Sequence, residues 1–156
     1  MRLRPAKTSE AHALSELCFR SKAHWGYDAA FMEQSRKALT ISKAKIRDNP
    51  VVVAVGDRVG DGERLLGVYA LEAQGTTVDL DLLFVDPPAI GTGVGRALFR
   101  DAVAEARMLG GRELTVLADP HAAGFYEAMG CRFAEMRPSD AIGGRRLPLY
   151  RLTLRR

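Results

Sequence analysis

The chain has 156 residues and a mass of 17.1 kDa, about one domain's worth, and folding at that size buries roughly two-thirds of the extended surface. Hydrophobic residues at 47% and charged residues at 27% exclude a disordered or fibrous chain, and no apolar run reaches the ~20 residues of a bilayer span. Lys and Arg less Asp and Glu give 23 − 19 = +4, a mild preference for an anionic ligand without the dense basic, aromatic-studded face that nucleic acid needs. The arginine-bearing N-terminus leads into no signal-like apolar block, so the expectation is a soluble, cytoplasmic, single-domain protein over residues 1–156, with no membrane or nucleic-acid partner.

In chain order, residues 3–5 read as a short strand, and Thr8-Ser9-Glu10 offers N-cap chemistry for a helix over about 10–23, on which Leu14, Leu17 and Cys18 recur at helical spacing. That helix ends at His24-Trp25-Gly26-Tyr27. A second is predicted over 30–39, and a third starts at Thr40 or Ser42 and stops before Pro50. The β-branched run 51–55 and the apolar run 65–71, joined by a turn-forming stretch at 56–63, read as a hairpin. Residues 78–85 alternate: Val78, Leu80, Leu82 and Phe84 are expected on one face, and Asp79, Asp81, Leu83 and Val85 on the other. A helix then runs from Val94 to the Gly110-Gly111 stop. Residues 114–118 form a strand, 122–129 a short helix, and 133–136 and 147–154 two last strands around Gly143-Gly144. This mixture implies one layered α+β or α/β domain. Cys18 and Cys131 are too few and too far apart for a disulfide framework or zinc site; Cys18 reads as a buried core thiol, and no metal is expected.

Chemistry concentrates where the strand ending at Val85 passes through Asp86-Pro87-Pro88-Ala89-Ile90-Gly91-Thr92-Gly93-Val94-Gly95-Arg96 into a helix. Alternate glycines let backbone N–H groups converge on one ligand, and a helix N-terminus adds unpaired donors and positive potential, which together make a phosphate site. A P-loop would need Lys and Ser or Thr after its last glycine, and a dinucleotide fingerprint would need glycine where Arg96 stands, so neither fits.

The segment Ile90-Gly91-Thr92-Gly93-Val94-Gly95 resembles the acyl-CoA signature of the GNAT acetyltransferase superfamily, with Ile90 in place of the usual Gln or Arg. Asp119-Pro120-His121-Ala122-Ala123-Gly124-Phe125-Tyr126-Glu127-Ala128-Met129-Gly130 resembles the family's second element, with His121 at its Asn place and Cys131 where Phe is common. The resemblance spans nearly the whole chain. It implies a three-layer α-β-α fold whose twisted, mostly antiparallel sheet of about seven strands splays at a central parallel pair. The cosubstrate implied is acetyl-CoA, and the activity is transfer of its acetyl group to a primary amine of a small molecule or peptide by direct attack. A non-catalytic acyl-CoA-binding module of the same fold is the alternative, and homodimerisation is compatible with either.

By the same resemblance, main-chain groups of Leu83, Phe84 and Val85 meet the pantetheine arm, while Ile90, Gly91, Thr92, Gly93, Val94, Gly95 and Arg96 surround the pyrophosphate, with Arg100 as a second cation or ordinary surface. His121 either bonds the arm or caps its helix. Tyr126 contacts the cofactor and is the acid that protonates the leaving thiolate, or else packs beside Phe125. Asp81 is the candidate base and Asp79 binds substrate, or else this polar strand face only binds substrate or works through water; like charges two residues apart on one strand face are expected to raise one pKa. Trp25 and Tyr27 fall in the segment that closes over the acceptor, where core packing explains Trp25 equally well. Arg145 and Arg146 read as a solvated turn, or as partners of an acidic acceptor or the 3′-phosphate.

Overall fold

In the computed structural model, which describes residues 1–60 and 62–154, the sheet strands are β1 (Arg2–Pro5), β2 (Val51–Val59), β3 (Gly62–Gln74), β4 (Thr77–Val85), β5 (Glu113–Leu117), β6 (Arg132–Pro138) and β7 (Arg146–Thr153). The helices are α1 (Ala11–Ala23), α2 (Ala29–Ser35), α3 (Lys43–Asp48), α4 (Val94–Met108) and α5 (Ala123–Ala128). All seven strands form one sheet in the order β1-β2-β3-β4-β5-β7-β6, antiparallel except for β4 beside β5. The α+β reading, the strand count and the central parallel pair expected from the sequence are therefore present. The 56–63 stretch is more regular than expected: β2 continues to Val59 and β3 restarts at Gly62, and Asp61 at the tip lies outside the described residues.

Two cores sandwich the sheet. Leu98, Phe99, Ala102 and Ala106 of α4 pack with Tyr69, Leu71, Val78, Leu80 and Val116, whereas Leu14, Leu17 and Cys18 of α1 pack with Met32, Ile41, Val53, Val68 and Leu82. Each such fully buried Leu or Phe contributes about 1.5–3 kcal/mol. On the α4 side the helix seats closely because β3 offers Gly67, where a Cβ would stand 2.8 Å from a Leu98 methyl carbon and 2.9 Å from the Phe84 carbonyl oxygen. The buried Tyr69 hydroxyl donates to Asp101 at 2.7 Å, pinning α4 one turn further on. Helix α2 stops four residues before the predicted Leu39. The chain then turns so that Ser15 Oγ receives the Ile41 N–H at 2.9 Å, which ties the run into α3 against α1.

The strict alternation expected over 78–85 fails at Asp81. Ala70 pairs with Leu82 but Leu71 pairs with Leu80, so Asp81 is an extra residue, a β-bulge. Val78 and Leu80 face the α4 core, Leu82 and Phe84 face the α1 core, and Leu83 and Val85 return to the α4 core. The bulge lets both faces of β4 stay apolar past Asp81, and it lies at the mouth of the site.

Candidate active site

Strands β4 and β5 pair only at Thr77–Glu113, Val78–Leu114 and Asp79–Thr115, and from there they diverge. The Asp86 N–H donates to the Leu66 carbonyl at 2.8 Å, so by two-residue alternation Phe84 and Leu82 also turn their backbone polar groups to β3. Leu83 and Val85 consequently present N–H and C=O to the gap, where an extended chain can bond them. Phe84 is a correction to the sequence reading: its main chain is committed to β3, and its half-buried ring packs on the α1 core.

The gap ends at the glycine loop. Gly91 and Gly93 take φ of 83° and 91°, values that only glycine adopts cheaply, and Gly93 is the N-cap of α4. Gly95 needs no such freedom; a Cβ there would make ordinary 3.5 Å contact with Phe125 and Val85. The first intrahelical bond runs from the Ala97 N–H to the Gly93 carbonyl, so the Val94, Gly95 and Arg96 amides lack an i−4 partner, and the Gly91 and Gly93 amides meet no backbone acceptor among the described residues. The Thr92 N–H instead donates to Ala89 and that of Ile90 to Pro87, so the donor row is interrupted, not continuous. Ile90 itself is 39% exposed, and Arg96 and Arg100 are exposed on α4, where with Phe99, Met129 and Leu152 they border a groove of about 460 Å³.

Tyr126, on α5, is buried at 5% exposure. Its ring contacts Phe125 and Phe99 edge-on, with centroids 5.2 and 6.0 Å away; its hydroxyl makes no side-chain hydrogen bond among the described residues and is not sealed off, so it stays accessible. Burial raises its pKa, and Cys131, Asp119 and Asp79 lie close enough to add to that rise. Cys131 is buried in the same core cluster, its thiol pushed up to about 11 by burial.

Of the two β4 carboxylates, Asp81 is held by the Lys45 ammonium of α3, which also lies 3.6 Å from Glu72. Asp79 accepts from the Thr115 hydroxyl at 2.9 Å. Its pKa is raised, first by burial and further by Asp81 and Glu72, against the lowering pull of the Thr115 bond. The raised carboxyl expected of this pair is thus Asp79, and burial outweighs like-charge repulsion.

On the α1 side of the mouth, the Tyr27 hydroxyl joins three elements. It donates to Asp119 at 2.8 Å, accepts from Arg145 at 2.7 Å and lies 3.2 Å from His121 Nδ1. Lys22 Nζ is 2.9 Å from Asp119. Burial pushes the Asp119 carboxyl up, but the His121 N–H, Lys22 and Tyr27 outweigh it and hold the pKa at about 2. Trp25, at 41% exposure, is not a core residue: its ring stacks on His121 with centroids 5.1 Å apart and planes 9° from parallel. The cap of the turn before α5 is Asp119, which accepts the His121 N–H at 2.9 Å, so His121 does not serve as the cap itself.

Residues 31–144 match the acetyltransferase (GNAT) domain family. The chain belongs to the GNAT acetyltransferase family. The GCN5-related N-acetyltransferase of Rhodopseudomonas palustris superposes with a TM-score of 0.77 at 21% identity, covering 98% of this chain and 95% of that one. PaiA N-acetyltransferase of Thermoplasma acidophilum, solved in complex with coenzyme A, has a TM-score of 0.77 at 17% identity, covering 97% of this chain and 98% of that one. YncA of Salmonella typhimurium, solved with acetyl-CoA, has a TM-score of 0.68 at 20% identity and covers 100% and 95%. At these identities the likeness is one of fold. No curated protein matches the sequence significantly.

Within this GNAT domain, the structure brings Tyr126, Asp79, the Leu83 and Val85 main chain and the 91–96 loop to one gap, and sets Trp25, Tyr27 and His121 together at its α1-side mouth. Lys22 and Asp119 escaped the sequence reading, whereas Arg145 was read as a solvated turn or as the partner of an acidic acceptor or the 3′-phosphate. Lys22 and Arg145 stood in segments already singled out, and Asp119-Pro120 carried the cap signal, but their convergence depends on tertiary closure. No helix among the described residues is long and apolar enough to cross a membrane.

Proposed function

We propose that this protein is an acetyl-CoA-dependent N-acetyltransferase that moves the acetyl group to a primary amine bound at the α1-side mouth. The observation that carries this is the order of unmet polar groups along the gap: the free amides of Gly91 and of residues 93–96, then the gap-facing main chain of Val85 and Leu83, then the Tyr126 hydroxyl. A diphosphate fits the first, an amide-bearing arm the second, and a departing sulfur the third. Acetyl-CoA supplies the activated acyl group.

The residues divide the work. Gap-facing N–H groups near Val85 stabilise negative charge developing on the thioester carbonyl oxygen. Tyr126 stays protonated at neutral pH because burial raises its pKa, and the same dry surroundings raise the thiol it faces, so donor and acceptor remain matched. For the base, Asp79 suits better than Asp81: no cation lies within ion-pair distance of it among the described residues, its pKa is raised despite the pull of Lys45, and it stands where the strands part, whereas Asp81 is bound to Lys45. Asp79 takes the proton of the incoming amine directly or through one water.

Thiol release from acetyl-CoA over a panel of amines, with Tyr126→Phe as the control, tests this reading. Turnover that Tyr126→Phe reduces supports it. Coenzyme A binding with no thiol release to any amine would instead favour a binding module that keeps the glycine loop without transfer.

A further inference from the structure

We propose that Lys22 and Arg145 form a seat for a carboxylate on the acceptor, so that the amine acetylated here belongs to a molecule that also carries an acidic group, its apolar or planar body resting on Trp25. The inference rests on the acetyltransferase reading and deepens it.

The charge count at the mouth leads there. Lys22, Arg145 and Asp119 are 13%, 19% and 13% exposed at their side chains, and Asp119 is the one carboxylate within ion-pair distance of either cation among the described residues, at 2.9 Å from Lys22 and 3.7 Å from Arg145. Two cations against one anion leave a half-buried surplus of positive charge. The aromatic rings soften it without cancelling it: Lys22 Nζ lies 5.4 Å from the Tyr27 centroid, and the Arg145 guanidinium lies 4.8 Å from that of Phe31. The oxygens already present are each engaged. Asp119 accepts from Lys22, Tyr27 and the His121 N–H, and Tyr27 both donates to Asp119 and accepts from Arg145. Donors, by contrast, are left over, because an ammonium carries three and a guanidinium five. A carboxylate takes paired guanidinium donors in the geometry that Arg145 offers.

Position decides which anion. Tyr27 and Phe31, which flank Arg145, pack on the α1 core, on the opposite face of the sheet from the α4 core that carries Phe125. The cosubstrate phosphates therefore have the α4 loop, and this seat is left for the acceptor. Trp25, stacked on His121 and open to solvent, gives a flat wall beside the seat. The surplus charge has a chemical use as well: it disfavours a nearby ammonium, and the attacking amine must be neutral.

Trp25 is the chain's single tryptophan, so its fluorescence reads occupation of the mouth directly. The test titrates phenylalanine, phenylalaninamide, phenethylamine and the tripeptide amide Phe-Asp-Gly-NH2 onto the coenzyme A-saturated protein, its Arg145→Gln variant and its Arg145→Lys variant. The expected result is that a carboxylate-bearing probe binds at least ten-fold tighter than phenylalaninamide and phenethylamine. That preference should fall below two-fold in Arg145→Gln, partly return in Arg145→Lys, and weaken with added salt. Phenylalanine leading indicates a free amino acid, and the tripeptide leading indicates a peptide N-terminus with an acidic neighbour; both support the seat. Equal binding of acid and amide, a preference that survives Arg145→Gln, or no response to either carboxylated probe overturns it. Calorimetry of coenzyme A on the same samples keeps the two readings apart. Retained coenzyme A affinity with no acid preference defeats the seat alone, whereas absent coenzyme A affinity in the wild type defeats the acetyltransferase reading.

Discussion

Asp79 accepts the Thr115 hydroxyl at 2.9 Å, and the two residues form the last rung of the parallel β4–β5 ladder before the strands part. A carboxylate at that position is more buried than a solvated strand face allows, and its raised pKa records the desolvation. Fold and electrostatics meet there, because the divergence that opens the gap also leaves a carboxyl of raised pKa at its apex.

Replacing Asp79 by Asn should lower kcat by about 10²–10⁴, the usual worth of a general base. The acid limb of the wild-type kcat/KM profile should lie above the ordinary carboxylate range. Stability should move the other way. A carboxyl whose folded pKa is raised binds its proton more readily in the fold, so the ionised form weakens the fold as pH rises through that pKa. At pH 7 the Asn variant, which keeps the acceptor for Thr115, should therefore melt higher than wild type. A lower melting temperature with unchanged kcat would return the base to Asp81 or water.

Tyr126→Phe removes a hydroxyl that makes no side-chain hydrogen bond among the described residues. Its melting temperature should stay within about 2 °C of wild type, because no hydrogen bond is lost. Its kcat should fall by about ten- to a hundredfold with KM for acetyl-CoA little changed, as expected for a group that acts in the transition state. Equal kcat in stopped-flow thiol release would leave Tyr126 as packing for Phe125 and Phe99.

Gly93→Ala forces a side chain to φ 91°, at a cost of about 1–2 kcal/mol, although nothing lies within 4 Å of the added Cβ. The strain falls on the loop proposed to hold the diphosphate, so coenzyme A should bind about tenfold more weakly, while Gly95→Ala, at ordinary φ with 3.5 Å contacts, should cost less. Isothermal titration of the two variants side by side checks the order.

Asp119 links pH to the closure of the mouth. Its pKa of about 2 lies below the 3.8 of an unperturbed Asp. The stabilisation it gives is complete above pH 4 and is lost as the pH falls through 2, and that difference is worth on the order of 2 kcal/mol. Acid unfolding of Asp119→Asn should show a correspondingly flatter dependence between pH 4 and 2, and at neutral pH the variant should be less stable than wild type because Lys22 loses its partner. A superimposable acid curve would remove the ion pairs from the stability account.

Local periodicity made most of the fold legible. The helical spacing of Leu14, Leu17 and Cys18, the β-branched 51–55 run and the α4 stripe each formed the element their pattern demands. The glycine loop was legible because φ values of 83° and 91° at Gly91 and Gly93 are a backbone need that residue type reveals. Alternation misled at Asp81, since a bulge changes the face without changing the composition; the apolar run Leu82-Leu83-Phe84-Val85 after it was the signal that both faces are covered. The Tyr27–Arg145 bond spans 118 residues of sequence, and Arg145 next to two glycines has the local look of a solvated turn. Only closure of the β6–β7 connection over α2 gives it partners.

The most direct measurement is isothermal titration of coenzyme A against the purified protein, followed by crystallography of the complex. The account predicts one molecule bound per chain, its diphosphate within hydrogen-bond distance of the Gly91, Gly93, Val94, Gly95 and Arg96 amides and its thiol beside Tyr126. No binding heat at millimolar coenzyme A, or a complex with the diphosphate away from that loop, would contradict it.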